Sequence, residues 1–165
     1  MLSKTIQDAI NEQIGKEFYS AYIYLQMSSY LQSINLSGSA HWMRIQYQEE
    51  MRHGLKLYDY VHEREGRVTL AAIPQPRTDY KSPLDVFEQA LSHEREVTAL
   101  INKLYALTQK ENDYPTTIHL QWFVTEQVEE EKNAGAIVEQ LKMIGDNKMG
   151  LIMLDQQLGA RAAGA

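Results

Sequence analysis

Six residues that interrupt apolar helical stripes hold the chemistry this sequence offers: Glu17, Glu50, His53, Glu94, Gln127 and Glu130. Glu50 and His53 are three apart, as are Gln127 and Glu130, so each pair shares one face of a helix. If the stripes face one another, all six meet near mid-depth. A buried carboxylate without a partner costs several kcal/mol, and clustered carboxylates raise one another's pKa. Whole-domain stability is typically only about 5–15 kcal/mol. Four such groups therefore demand cations, protons or water. Arg44 and Arg52 lie off the stripe and Lys132 is flanked by stripe positions, so the chain supplies no cation on the stripes there. Carboxylate oxygens with one neutral imidazole suit Fe(II), Mn(II) or Zn(II), and two ions can share a bridging carboxylate. Taken singly, each residue has an ordinary reading: a Glu at a stripe's edge, a hydrogen-bonded His, a solvated face at Glu129-Glu130-Glu131. Their joint occurrence at matching depth favours a metal centre.

Four long segments must position these residues, and all four show the helical period. The first, about 3–32, has the stripe Ile6, Ile10, Ile14, Glu17, Ala21, Tyr24, Leu31. The second, about 39–65, has Met43, Gln46, Glu50, His53, Leu57, Tyr60 and stops at Gly66, which suits a C′ position. The third, 83–110, opens with Ser82 as N-cap, Pro83 at the first helical position and Asp85 in the first turn. Its stripe is Phe87, Leu91, Glu94, Val97, Ile101, Leu104. The fourth, 115–144, runs Leu120, Phe123, Gln127, Glu130, Ala134, Ile137, Leu141, Ile144. A short fifth segment spans 148–158. The one long connection, Gly66–Ser82, falls between the second and third segments. Short connections make antiparallel pairs, and one long crossover lets the second and third helices run parallel. The expected fold is an all-α four-helix bundle over a single domain, 1–165, with a short C-terminal fifth helix.

Further residues lie beside the stripes. Tyr24 follows Glu17 by seven positions on the same stripe: it is either a satisfied core tyrosine or a hydroxyl near the metals that bonds a ligand or supplies an electron. Trp122 is one position off the fourth stripe and reads first as packing, then as a redox-active ring. Glu49, Glu126 and Glu129 are one helical step around, ordinarily solvated, and together suitable for a further metal position facing away from the bundle axis.

Composition narrows the class. Sixteen Lys and Arg against 22 Asp and Glu give a net charge of −6, which argues against nucleic acid or anionic lipid as partner and suits the gathering of cations. With no Cys there is no disulfide, no thiolate-bound zinc and no iron–sulfur cluster. That suits a reducing, cytoplasmic setting. The apolar run Met149–Leu154 is too short to span a bilayer, and MLSKTIQDAINEQ lacks a signal peptide's apolar core.

The segment QEEMRH, with EQVEEEK, NEQIGKEFYSAYIYLQM and DYPTTIHLQWFV, resembles the non-haem bacterial ferritins over nearly the whole chain. Glu-x-x-His on a bundle helix and the single long crossover both match the ferritin-like di-iron arrangement. The resemblance implies iron storage with ferroxidase activity, oxidising Fe(II) to Fe(III) with O₂ or hydrogen peroxide. It implies that Glu17, Glu50 and His53 hold one iron and that Glu50, Glu94 and Glu130 hold a second, with Glu50 bridging and Gln127 nearby. It places a third iron at Glu49, Glu126, Glu129 and Glu130, and Tyr24 beside the ferroxidase centre. It also implies a homo-24-mer shell with 432 symmetry. Bacterioferritins and rubrerythrins repeat Glu-x-x-His on the last bundle helix, where this chain has Gln127-Val128-Glu129-Glu130. Met51 occupies the haem-ligating position of the bacterioferritins, but the missing second His argues against haem. Two other classes compete: a di-metal oxidase or reductase for a small organic substrate or peroxide, and a purely structural helical bundle.

Overall fold

The preceding residue's own side chain caps four of the five helix starts in the computed structural model, which describes residues 1–164. The helices are α1 (Lys4–Ser33), α2 (Ser37–Glu63), α3 (Pro83–Lys110), α4 (Tyr114–Ile144) and α5 (Lys148–Gly159). Ser3, Ser82, Asp113 and Asn147 each accept a hydrogen bond from a first-turn backbone N–H of α1, α3, α4 and α5. No strand is present among the described residues.

The start of α2 is capped from far along the chain. Asp155 of α5 accepts from the N–H of Gly38 (3.0 Å) and of Ser39 (2.7 Å), and from the Ser39 hydroxyl (2.7 Å). A carboxylate at a helix N-terminus satisfies orphan donors and complements the dipole. That remote cap explains why α2 begins at Ser37, earlier than its own sequence suggests. A Cβ at Gly38 would fall 1.8 Å from the Asp155 carbonyl oxygen, so only glycine permits this docking.

α1, α2 and α3 end in the same way. Asn35, Glu65 and Asn112 take left-handed conformations (φ 64°, 57° and 57°). Leu36 N–H bonds Leu31 O, Gly66 N–H bonds Val61 O and Asp113 N–H bonds Thr108 O, closing Schellman motifs. The expectation for Gly66 is corrected here. Glu65 takes the left-handed position, and α2 ends at Glu63. Gly66 is needed for space instead: a Cβ there would lie 2.9 Å from both Gln7 Oε1 and Val61 Cγ1.

The crossover runs the length of α1. Gln7 Oε1 accepts from Arg67 N–H, Asn11 Nδ2 donates to Arg67 O, and Tyr80 packs on Tyr30 with ring centroids 5.1 Å apart. It therefore returns the chain to the starting end of α2, which makes α2 and α3 parallel. α1 pairs with α2 and α3 with α4. A Cβ at Gly54 would overlap the Phe18 ring at 2.5 Å, which shows how closely α1 and α2 approach.

The apolar core divides in two. One cluster, including Tyr24, Met27, Leu31, Met43, Phe87 and Ile137, fills the end near α5. The other, including Ile6, Ile10, Ile14, Leu57, Val97, Leu120 and Phe123, fills the opposite end. A polar layer lies between them.

Candidate metal centre

The middle layer is built from all four bundle helices. Glu17 comes from α1, Glu50 and His53 from α2, Glu94 from α3, Gln127 and Glu130 from α4. Each is at most 4% exposed. Ligand atoms of Glu17, Glu50 and His53 lie within 4.8 Å of one another, and so do those of His53, Glu126 and Glu130. Either group has the size and donor set for a divalent ion.

Three of the four carboxylates are oriented by a donor from the chain, and Glu50 is not. Gln13 Nε2 donates to Glu17 Oε1 at 2.8 Å, and Gln46 Nε2 donates to Glu130 Oε2 at 2.8 Å. The Tyr24 hydroxyl donates to Glu94 Oε1. Gln127 Nε2 lies 3.1 Å from Glu94 Oε2, 3.2 Å from the Glu94 carbonyl and 3.3 Å from Thr98 Oγ1. Two oxygens, Glu17 Oε2 and Glu50 Oε2, are buried without a donor among the described residues. His53 Nδ1 lies 3.4 Å from Glu50 Oε2 without bonding it. Carboxylate oxygens only accept, so two of them share a site only with a proton or a cation between them. The residues present therefore fit a metal.

Electrostatics agree with that geometry. Burial pushes the Glu17 carboxyl up to about 7 and Glu130 to about 8. Glu50 and Glu94 are also raised, first by burial; neighbouring carboxylates contribute to both. Burial, with Arg52 and Lys56 nearby, lowers His53 to about 4, so its imidazole is neutral and free to ligate. Without a cation the cluster holds protons; a metal would displace them.

Not every expected residue joins a group. Both Glu94 oxygens are held by Tyr24 and Gln127, and Glu94 belongs to neither convergent set. Glu49 is paired with Arg161 (2.7 Å) and Arg52 (3.5 Å) and joins neither group. Glu129 is exposed. Trp122 stands edge-on to the His53 ring at 5.2 Å, with Lys56 Nζ 4.7 Å from its own ring centroid. Of the orienting glutamines only Gln13 carries a sequence signal in its spacing, four before Glu17 on one helix face, whereas Gln46 reaches Glu130 on another helix. Gln46 was visible on its stripe without a role, and Gln13 had none.

A ferritin-like domain family model matches residues 7–144. The chain belongs to the ferritin family. The bacterial non-heme ferritin of Bacteroides fragilis is 43% identical to this ferritin over 161 residues, covering 98% of this chain and all of that one. That of Staphylococcus saprophyticus is 38% identical over 162 residues, covering 98% and 97%. Among solved structures, the open-pore ferritin of Archaeoglobus fulgidus superposes with a TM-score of 0.97 at 46% identity, covering 98% of each chain. A closed form engineered from the Archaeoglobus protein gives 0.98 at 45% identity, covering 99% of this chain and 100% of that one. Among the described residues, no helix of this ferritin is long and apolar enough to cross a membrane.

Proposed function

We propose that this ferritin stores iron and oxidises Fe(II) at the middle layer, with iron as both substrate and cargo. Glu17, Glu50 and His53 hold one ion, and Glu50, Glu94 and Glu130 hold a second, with Glu50 between them. Hard oxygen donors favour Fe(III) over Fe(II), which eases transfer of electrons to O₂ or hydrogen peroxide. Gln127 stands where a further charge would be. A neutral amide there leaves the ferric product less tightly held and free to move on to a mineral store. Protons held by the raised carboxyls leave as iron enters. Glu49, Glu126, Glu129 and Glu130 form an outer position on the way out.

One observation supports this reading above the others: four buried carboxylates with two donorless oxygens at the core of a bundle that supplies no counter-charge there. The test is aerobic Fe(II) titration followed by absorbance of the ferric product. Oxidation above the buffer rate is expected in the parent and lost in Glu50→Ala. A variant as fast as the parent would refute the assignment.

The assembly proposed is a homo-24-mer shell working in the cytoplasm. Met143, Met149, Ile152 and Met153 are 50–79% exposed at the α4–α5 end, an apolar surface that needs a partner. The net charge of −6 per chain would draw Fe(II) toward such a shell. Light scattering that returns a monomer would end this part of the proposal. Electron microscopy decides between a closed shell and an open-pored one.

A further inference from the structure

The chain's own C-terminal tail lies on the outer position. After α5 the backbone passes Gly38, with a Cβ at Gly159 meeting Gly38 Cα at 3.1 Å. It then follows α2. His41 Nε2 lies 2.8 Å from the Arg161 carbonyl, and the Arg161 guanidinium sits 4.6 Å from the Trp42 ring centroid. Arg161 Nη2 donates to Glu49 Oε2 at 2.7 Å, while Arg52 Nη2 reaches Glu49 Oε1 at 3.5 Å. Arg52 Nη1 in turn donates to the Gly164 carbonyl at 2.8 Å. Both Glu49 oxygens are thus taken by guanidinium groups tied to the tail.

The place matters. Gly164 lines a basin of about 670 Å³ whose walls include Glu49, Arg52, His53, Trp122, Glu126 and Glu129. The basin joins the surface to His53, the innermost of these residues. Glu126 and Glu130 converge with His53, and Glu49 does not. A segment drawn along some 14 residues of helix spans about 20 Å, and five extended residues reach about 17 Å. The tail therefore has little slack, and only the long side chains of α2, which lean toward its N-terminus, close the gap.

We propose that Arg161 is a built-in cation that occupies Glu49 and sets the affinity of the outer position: the tail latched keeps Glu49 from metal, and the tail released completes the carboxylate set. The Arg161 guanidinium and a metal ion compete for Glu49 Oε2, so each weakens the other, and the coupling is reciprocal. Filling the outer position frees the tail; removing Arg161 tightens the outer position. The inference rests on the outer position proposed above but not on any oxidation chemistry.

The experiment uses redox-inert Zn(II) on the assembled protein. Crystals of the parent, Arg161→Ala, Arg161→Lys and Arg161→Ala/Glu49→Gln are soaked over a series of Zn(II) concentrations, and anomalous signal gives the occupancy at each position. Arg161→Ala should half-fill the outer position at about one tenth of the parental concentration, a coupling of ordinary size. Arg161→Lys should fall between, and the double variant should return to the parental value or weaker. Inner-position filling should be the same in parent and Arg161→Ala. Hydrogen exchange at residues 160–164 should quicken when Zn(II) fills the outer position. Equal outer-position filling in parent and Arg161→Ala overturns the latch and leaves the outer position standing. An empty outer position in both, with the inner ones filled, overturns the latch and the outer position together.

Discussion

The bundle contains two polar layers, and they solve the same electrostatic problem in opposite ways. At the end near the α3–α4 turn, Arg64 of α2 bonds Asp113 Oδ1 at 3.0 Å, the Tyr60 hydroxyl at 2.7 Å and Thr116 Oγ1 at 3.1 Å. Thr108 and Thr117 share a further hydroxyl bond of 2.9 Å. Burial works to raise Asp113, but its bonds from Arg64 and Thr116 outweigh that, and its carboxyl sits below the usual value. In the middle layer the carboxyls have no cationic partner and sit above it. One layer brings its own counter-charge and is structural. The other leaves the counter-charge to be supplied from outside, and that difference marks the functional layer more clearly than burial does, since both layers include buried polar groups.

The sharpest way to break this contrast is to neutralise one group in each layer. Glu50→Gln should slow Fe(II) oxidation at least about a hundredfold, since even outer-shell partners of metal ligands are worth roughly 10–100-fold. In the metal-free protein at pH 8 the same change should raise stability, because it removes a buried carboxyl whose ionisation burial opposes and no cation offsets. Arg64→Ala should do the reverse. It should cost about 1.5 kcal/mol, a buried-pair loss discounted for partial exposure, and leave the oxidation rate per folded chain within about twofold of the parent. Chemical denaturation and stopped-flow oxidation measure both. Loss of stability in Glu50→Gln would mean that the middle layer is self-satisfied after all.

Added metal should separate the layers next. Zn(II) at one hundred times its dissociation constant should stabilise the parent by about 2.7 kcal/mol per site. Arg64→Ala should keep that increment, whereas Glu17→Gln should lose most of it. A thermal shift series with and without Zn(II) reads the result.

Between pH 6.5 and 8, pH should act chiefly on the middle layer in the metal-free protein. Glu17 and Glu130 have folded values near 7 and 8 against a usual 4.5. Between these values the folded state holds more protons than the unfolded, so stability falls as pH rises through the folded values. His53, His93 and His119, each lowered to about 4 from 6.5, work oppositely but only below 6.5. Metal-free stability should therefore drop by about 2 kcal/mol from pH 6.5 to 8, given 1.36 kcal/mol per pKa unit. Glu130→Gln should flatten that drop, and saturating Zn(II) should abolish it. A flat profile in the parent would show that the carboxyls are already compensated.

The middle layer was legible because its residues break four regular stripes at one depth, a pattern that periodicity exposes directly. Ile10, Ile14, Glu17 and Tyr24 fall where the helical repeat of α1 puts them, and all four are buried. What was not legible depends on partners distant in sequence. Asp155 caps α2 from 116 residues away. Arg161 claims Glu49 from 112 residues away. No local rule announces either pairing. Gly66 misled because glycine at a helix end ordinarily signals a left-handed turn, whereas here Glu65 makes the turn and Gly66 makes room for Gln7 and Val61. Gln13 was passed over because a glutamine inside a helix is ordinarily solvated; its role follows only once Glu17 is known to be buried.

The finest test of the contrast removes one phenolic hydroxyl from each layer. Tyr60 and Tyr24 are both buried, and each bonds a charged group of its own layer: Tyr60 accepts from Arg64, and Tyr24 donates to Glu94. Burial and the surrounding carboxylates hold the Tyr24 hydroxyl well above its usual value, so it stays protonated and remains a donor at every working pH. Tyr60→Phe should cost about 1 kcal/mol, the net worth of a typical hydrogen bond, and leave oxidation unchanged. Tyr24→Phe strips Glu94 of one of the two side-chain donors that hold its carboxylate in place. Glu94 should then rise further in pKa and hold the second ion less well. Oxidation should slow about tenfold, at the low end of the range that loss of an orienting partner gives, with Zn(II) affinity at the second position falling in parallel while the first is unaffected. If the rate falls without any change in Zn(II) affinity, Tyr24 acts by giving up an electron and not by holding Glu94, and a tyrosyl radical signal in the parent after oxidation is the measurement that would establish it.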